Sequence, residues 1–351
     1  MRQSVLASLA AALLWASLAL LLLPAGQSVS GGDPLPAPTR EPEAAATTEP
    51  SAPPASALCA APAEPAAFDT GCQLAVLTED GVVRMDLERY LTGVLLAEMP
   101  VSFGREALKA QAVASRTYTL SRCRNPRHTE AAVCTDSHCC QAWRDPAEAE
   151  PEARAQAEAA VRASDGLVLL YQGRLIDATF FSCSGGRTED AATVWGSELP
   201  YLKAVESPGE EDAAHYTDEL RVSLADFQAK LEALDHEVQL SGDPCAWAEA
   251  VQYTAGGGVA SVTLGGRAFR GTALRKAFGL RSTAFSLSLS ADGAVFTTRG
   301  NGHRVGMSQY GAAAMARAGN DFETILKWYY TGVDLVNAGE LHGEAALNGI
   351  P

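Results

Sequence analysis

Four pairs of apolar runs, each broken by a tight-turn signal, constrain the fold more than any other feature. "QLAVLTEDGVVRMDL" (73–87) turns at Glu79-Asp80-Gly81, and "GLVLLYQGRLIDATFF" (166–181) at Gln172-Gly173. "VQYTAGGGVASVTLGG" (251–266) turns at its glycines, and "FSLSLSADGAVFTT" (285–298) at Asp292-Gly293. Strands joined by so few residues pair antiparallel. Helical patterns stand between them over 87–97, 105–122, 147–164, 224–238, 271–279 and 322–332. Asp86 caps the first, and Ser223 with Asp226 forms a capping-box pattern at the fourth. Hairpins mixed with helices, without strict strand–helix alternation, predict an α+β fold: antiparallel hairpins packed with helices. Residues 206–285 are expected to form a smaller lobe, so that two lobes flank a cleft.

The termini are of different character. Val5 to Ala25 is almost wholly apolar and long enough to span a bilayer, which takes roughly 20 residues. Residues 1–25 read as a transmembrane anchor, with a cleaved signal peptide as the competing reading. Arg2 on the cytoplasmic side puts the body outside the cytoplasm. Residues 26–67, rich in Pro, Ala, Thr, Ser and Glu, cannot bury enough apolar surface to order themselves and read as a disordered linker. The folded body is expected over 68–340, with 341–351 as a tail. A net charge of −15 argues against a nucleic-acid partner, which a basic face would attract.

One carboxylate stands in an odd place. In "LLAEMPVSFGREALKAQAVASRTYTL" (95–120), Glu98 lies between an apolar run and Pro100. Pro100 drives Met99 out of the helical region, so the helix stops at Glu98. The negative end of a helix and apolar neighbours both disfavour an ionised carboxylate and raise its pKa. A carboxyl group protonated near neutral pH is what a general acid needs. The competing reading is a surface Glu paired with Lys109 or Arg116. The next helix is crowded with alanines, which indicates burial. Gln111 and Tyr118 share one of its faces, and Arg116 lies off it.

"YLTGVLLAEMPVSFGREALKAQAVASRTYTL" resembles the opening signature of the stage II sporulation protein D family. Four more blocks agree in order: "VCTDSHCCQAWRD", "FFSCSGGRTEDAATVWGSELPYLKAVESP", "GGRAFRGTALRKAFGLRSTAF" and "GNGHRVGMSQYGAAAMARAGNDFETILKWYYTGVDL", together covering about 72–335. The resemblance implies a membrane-anchored lytic transglycosylase. Such an enzyme cleaves peptidoglycan glycan strands during the engulfment step of sporulation, with the acid at Glu98. It also implies denuded glycan as substrate, a partner cell-wall amidase that acts first, and membrane proteins of the engulfment machinery. Candidate substrate contacts are Gln111, Arg116, Tyr118, Ser182, Ser184, Thr188, His303, Ser308, Gln309 and Tyr310. Two positions depart from the family pattern. Asn301 stands where an aromatic is common, and Arg304 where Gly often follows the His. Relatives described as amidase enhancers imply the alternative, a non-catalytic wall-binding module.

Of eight cysteines, four crowd with two histidines into "CRNPRHTEAAVCTDSHCCQAW" (123–143). His128, Cys134, Cys139 and Cys140 have spacing that can wrap a tetrahedral zinc. Some family members are described as binding zinc here through two His and two Cys, which leaves His138 competing with Cys139 for the fourth position. A disulfide Cys134–Cys140 is the alternative, and Cys59–Cys72 is another candidate pair.

Overall fold

The computed structural model describes residues 68–340, so the expected anchor, linker, tail and Cys59–Cys72 pair lie outside the described residues. Among the described residues no helix is long and apolar enough to cross a membrane. The fold is α+β, as the turn signals predict. A short helix α1 (Phe68–Gly71) leads into the hairpin β1 (Gln73–Thr78) and β2 (Gly81–Asp86), then helix α2 (Leu87–Glu98), opened by the Asp86 side chain accepting from the Arg89 N–H at 2.7 Å.

Helix α3 (Arg105–Arg124) is the spine of the main body. Ala107, Ala110, Ala112 and Ala114 are fully buried, so α2 and later helices approach its backbone closely. Strand β3 (Val133–Cys134) adds to β1 in parallel. Helix α4 (Pro151–Ala163) starts later than the sequence pattern suggests. Its proline fits the first helical turn, and the preceding Pro146–Glu148 forms a separate 3-10 turn. Strands β4 (Leu167–Tyr171) and β5 (Arg174–Leu175) form the second hairpin. Strand β6 (Phe180–Phe181) and the short helix α5 (Ala191–Trp195) follow.

A second apolar cluster, separate from the first, runs from Phe227 to Phe296. It lies within strand β7 (Thr217–Val222), helix α6 (Leu224–Leu234), the sheet β8 (Ala248–Tyr253), β9 (Val259–Leu264) and β10 (Arg267–Arg270), helix α7 (Gly271–Phe278), and the hairpin β11 (Phe285–Ser290) and β12 (Gly293–Arg299). Ser223 caps α6 by accepting from the Asp226 N–H at 3.1 Å. The cluster takes in the β11–β12 hairpin, beyond the 206–285 range read from the sequence. Strand β13 (Met307–Ser308) then pairs in parallel with β6, helices α8 (Gln309–Arg317) and α9 (Phe322–Tyr329) pack on α3, and β14 (Asp334–Asn337) closes against β4.

One polar contact ties the start of this body to its spine. Arg116, fully buried on α3, donates to both carboxylate oxygens of the equally buried Asp69 and to the carbonyls of Leu167 and Val161. With one partner removed, the other charge is left buried and uncompensated. Asp69→Ala is expected to lower stability by about 3–5 kcal/mol in urea denaturation. Replacing Asp69 and Arg116 together with apolar residues is expected to cost much less.

Candidate functional site

Helix α2 ends at Glu98, because Met99 before Pro100 is extended (φ −136°, ψ 125°). The carboxylate is half-buried. Its Oε1 accepts the Ala142 N–H at 2.8 Å, and its Oε2 accepts from Gln309 Nε2 at 3.3 Å. Burial pushes its pKa up from the ordinary glutamate value, and these two hydrogen bonds oppose the shift only in part. The competing surface pairing is not formed: Lys109 bonds Glu106, and Arg116 bonds Asp69.

The donor Ala142 is delivered by packing. Trp143 lies flat against α2 at Gly93, where a Cβ would overlap the indole, and the Arg144 N–H donates to the Gly93 carbonyl. The chain just before it is pinned by Gln141, which donates to Thr119 Oγ1 at 3.0 Å.

Glu98 opens into a cavity of about 670 Å³. Of the residues expected from the sequence, Tyr118, Ser182 and His303 line it with Glu98, and Gln309 reaches in through its hydrogen bond. Arg122, Arg127, Gln141, Asp177, Trp195, Ser197 and Asn301 also line it. Arg122 was missed, although its place one turn after Tyr118 on α3 was a signal that could have found it; its guanidinium stands 4.8 Å from that ring. Asp177 was not, because the loop after β5 carries no pattern.

The other expected contacts sit elsewhere. Arg116 is the buried partner of Asp69 rather than a sugar contact. Gln111 is fully buried and donates to Ser115, so the face it shares with Tyr118 reaches the cavity only at Tyr118. Ser184 and the backbone N–H groups of residues 184 and 185 wrap the Glu210 carboxylate, which makes the Gly-rich turn an internal anion nest. Thr188 accepts from the Val205 N–H at 2.8 Å, and Ser308 caps α8. Tyr310 stands edge-on to Phe103, with centroids 4.7 Å apart.

The two departures at the closing motif resolve differently. Asn301 lines the cavity and pairs with Cys183 through its backbone. Arg304 occupies a left-handed backbone position, φ +66°, where Gly is at ease. Its buried guanidinium donates to the carbonyls of Ser184, Arg187 and Gly256 at 2.7–2.8 Å and pairs with Glu189 at 3.2 Å. Glu189 in turn accepts from Thr254 and the Gly258 N–H. These bonds hold a conformation that costs roughly 1–2 kcal/mol in a non-glycine residue. They also set the turn on which His303 stands. There Nδ1 accepts the Val305 N–H at 3.1 Å, which puts the ring proton on Nε2. Burial, reinforced by the Arg275 charge, pushes this imidazole down to about 4, so it is neutral.

Beside the cavity, His128, Cys134, Cys139 and Cys140 present ligand atoms all within 4.8 Å of one another. His128 Nε2 is 3.6 Å from both Cys139 and Cys140 Sγ, and those sulfurs are 4.0 Å apart. A tetrahedral ion with sulfur ligands at about 2.3 Å sets such atoms about 3.8 Å apart, so the four residues fit a metal. His138 turns away, its side chain 93% exposed and bonded to Asp136, so Cys139 and not His138 belongs to the cluster. None of the seven described cysteines is bonded to another, Cys134 and Cys140 included.

This is an α+β protein in which a half-buried carboxyl group at a helix end faces a polar and aromatic cavity, with a His/Cys cluster at the cavity's rim. A model of the stage II sporulation protein family matches residues 78–171. The chain is 34% identical over 304 residues to stage II sporulation protein D of Bacillus subtilis, covering 84% of this chain and 85% of that protein. It is 36% identical over 269 residues to the protein of that name in Bacillus amyloliquefaciens, covering 73% and 76%. It is also 28% identical over 301 residues to the amidase enhancer of Bacillus subtilis, covering 70% of this chain and 40% of that one. The chain belongs to the stage II sporulation protein D family.

Arg304→Ala is expected to destabilise the protein by about 3–5 kcal/mol, because Glu189 would stay buried without its counter-charge. Chemical denaturation measures this, and a loss under 1 kcal/mol would refute the role given to the guanidinium.

Proposed function

We propose that the protein is a lytic transglycosylase of the bacterial cell wall, anchored in the membrane and acting outside the cytoplasm during engulfment. It cleaves the bond from N-acetylmuramic acid to N-acetylglucosamine and leaves a 1,6-anhydro end. The observation that carries this is Glu98, whose burial favours the protonated form at the mouth of a cavity large enough for sugar rings.

The chemistry needs one acid. Glu98 protonates the glycosidic oxygen as the C1–O bond breaks. The sugar's own N-acetyl carbonyl stabilises C1. Glu98, now a carboxylate, takes the proton from O6 of the same sugar, and O6 closes on C1, so no water is consumed. Intramolecular attack gains from a high effective concentration. Glycosidases with two carboxylates place both beside the bond. The other carboxylate lining this cavity, Asp177, is held by Arg122 at 2.6 Å and is not free for that role. Ala142 and Gln309 orient the carboxyl group. Arg127, exposed at the rim, suits the lactyl carboxylate that muramic acid bears once its peptide is gone.

The His/Cys cluster is assigned to a structural zinc, held by His128, Cys134, Cys139 and Cys140. Burial pushes the Cys140 thiol up to about 12, and a bound cation would displace its proton and hold it as the thiolate. Four protein ligands leave no open position for chemistry. The likeness to an amidase enhancer supports a second reading, a module that binds glycan and stimulates a separate amidase.

Mass spectrometry of digested, peptide-free glycan separates these readings. Anhydro ends are expected, and their absence with intact binding would favour the enhancer. Glu98→Gln is expected to cut turnover at least about 10²-fold while the fold survives. Activity should fall as pH rises through the raised Glu98 pKa, since only the protonated form donates. A rate that instead rises across that range would rule out Glu98 as the acid. Metal analysis is expected to find about one zinc per chain, lost in Cys139→Ser and kept in His138→Ala.

A further inference from the structure

Resting on the reading of the cavity as a glycan site, we propose that Trp195 is a sugar-stacking platform, setting where along the strand Glu98 acts. Trp195 is the last residue of α5, and Gly196 ends that helix in the left-handed conformation. Its side chain is 43% exposed. Among the described residues, the other large exposed apolar side chains, from Val82 to Trp328, line no part of this cavity, whereas Trp195 and Glu98 line it together.

The indole is supported from behind. The His303 ring lies 5.3 Å away at 53°, and His303 itself stands edge-on to the buried Phe181 at 5.5 Å. Three rings thus form a row of tilted and edge-on contacts, buried at Phe181 and open to the cavity at Trp195. With His303 neutral, the row carries no charge to solvate. A single exposed apolar side chain is ordinary by itself; what sets this indole apart is that it lines the same cavity as Glu98, where a ligand can cover it. Around it stand groups of the opposite kind: Ser182, Ser197, Asn301 and Asp177.

This pairing of a flat apolar face with a polar rim matches a β-linked pyranose of gluco configuration. All the ring substituents of such a sugar are equatorial, so each face shows only C–H bonds while hydroxyl and acetamido groups point outward. The C–H face lies on the indole, whose negative π-face attracts it. The equatorial groups meet the rim. A nucleobase would stack equally well, but the protein's net charge of −15 repels its phosphates.

The test uses the full-length protein, peptide-free glycan strands, and a chitin-type N-acetylglucosamine tetrasaccharide as binding probe. Trp195→Ala is expected to raise KM about tenfold while kcat stays within about threefold. Trp195→Tyr should restore most of the loss, which a purely structural residue would not allow. In the Glu98→Gln background, the tetrasaccharide should shift tryptophan fluorescence, and Trp195→Ala should abolish that shift. A wild-type enzyme that makes anhydro ends and is matched by Trp195→Ala in KM overturns the platform and leaves the activity standing. A protein that makes no product loses the activity, and the fluorescence comparison then decides the platform alone. A shift that survives Trp195→Ala refutes it, and a shift lost with that residue upholds it.

Discussion

One buried guanidinium organises the part of the cavity wall that carries His303. Arg304 joins the Gly-rich turn at Ser184, the loop at Arg187, the carboxylate of Glu189 and the Gly256 carbonyl, which belongs to the lobe built on the second apolar cluster. Ser184, Glu189 and Gly256 are buried, so the donors of this one residue stand in for water at their acceptors. The backbone at 304 is forced into the left-handed region by the same bonds that reward it. The imidazole of His303, one residue earlier, is therefore fixed in both position and tautomer. The shape of the cavity on that side follows from a residue that never touches it.

Much of the fold was legible because its signals are local. The turns at Gly81, Gln172-Gly173 and Gly293 need particular backbone angles, and the residues that supply them stand in the sequence. The N-caps at Asp86 and Ser223 are likewise a matter of neighbours three residues apart. Strand β7 was not seen, because its inward positions are only half-buried and include Asp218, and its partner β12 lies more than 70 residues away. Helix α8 was hidden inside a motif read for its chemistry, and its alanines give no strong apolar stripe.

The site divides in the same way. Glu98 was readable from a helix stop and an apolar run, both within a few residues. Cys139 and His138 could not be ranked by spacing, because adjacent residues differ only in the direction their side chains leave the loop. Arg116 misled because a charged residue on an alanine-rich helix suggests a ligand contact, while its partner Asp69 is 47 positions distant. Arg304 broke a pattern in the sequence and turned out to satisfy it, since four acceptors make up for the missing glycine.

The strap from Cys140 to Trp143 couples Glu98 to the His/Cys cluster. Glu98 accepts from an amide two residues past Cys140, and the next residue's indole is seated on Gly93 of the same helix. A change at the cysteine pair therefore need not reach the cavity to be felt there: a small shift of the strap would turn the carboxyl group while leaving it intact.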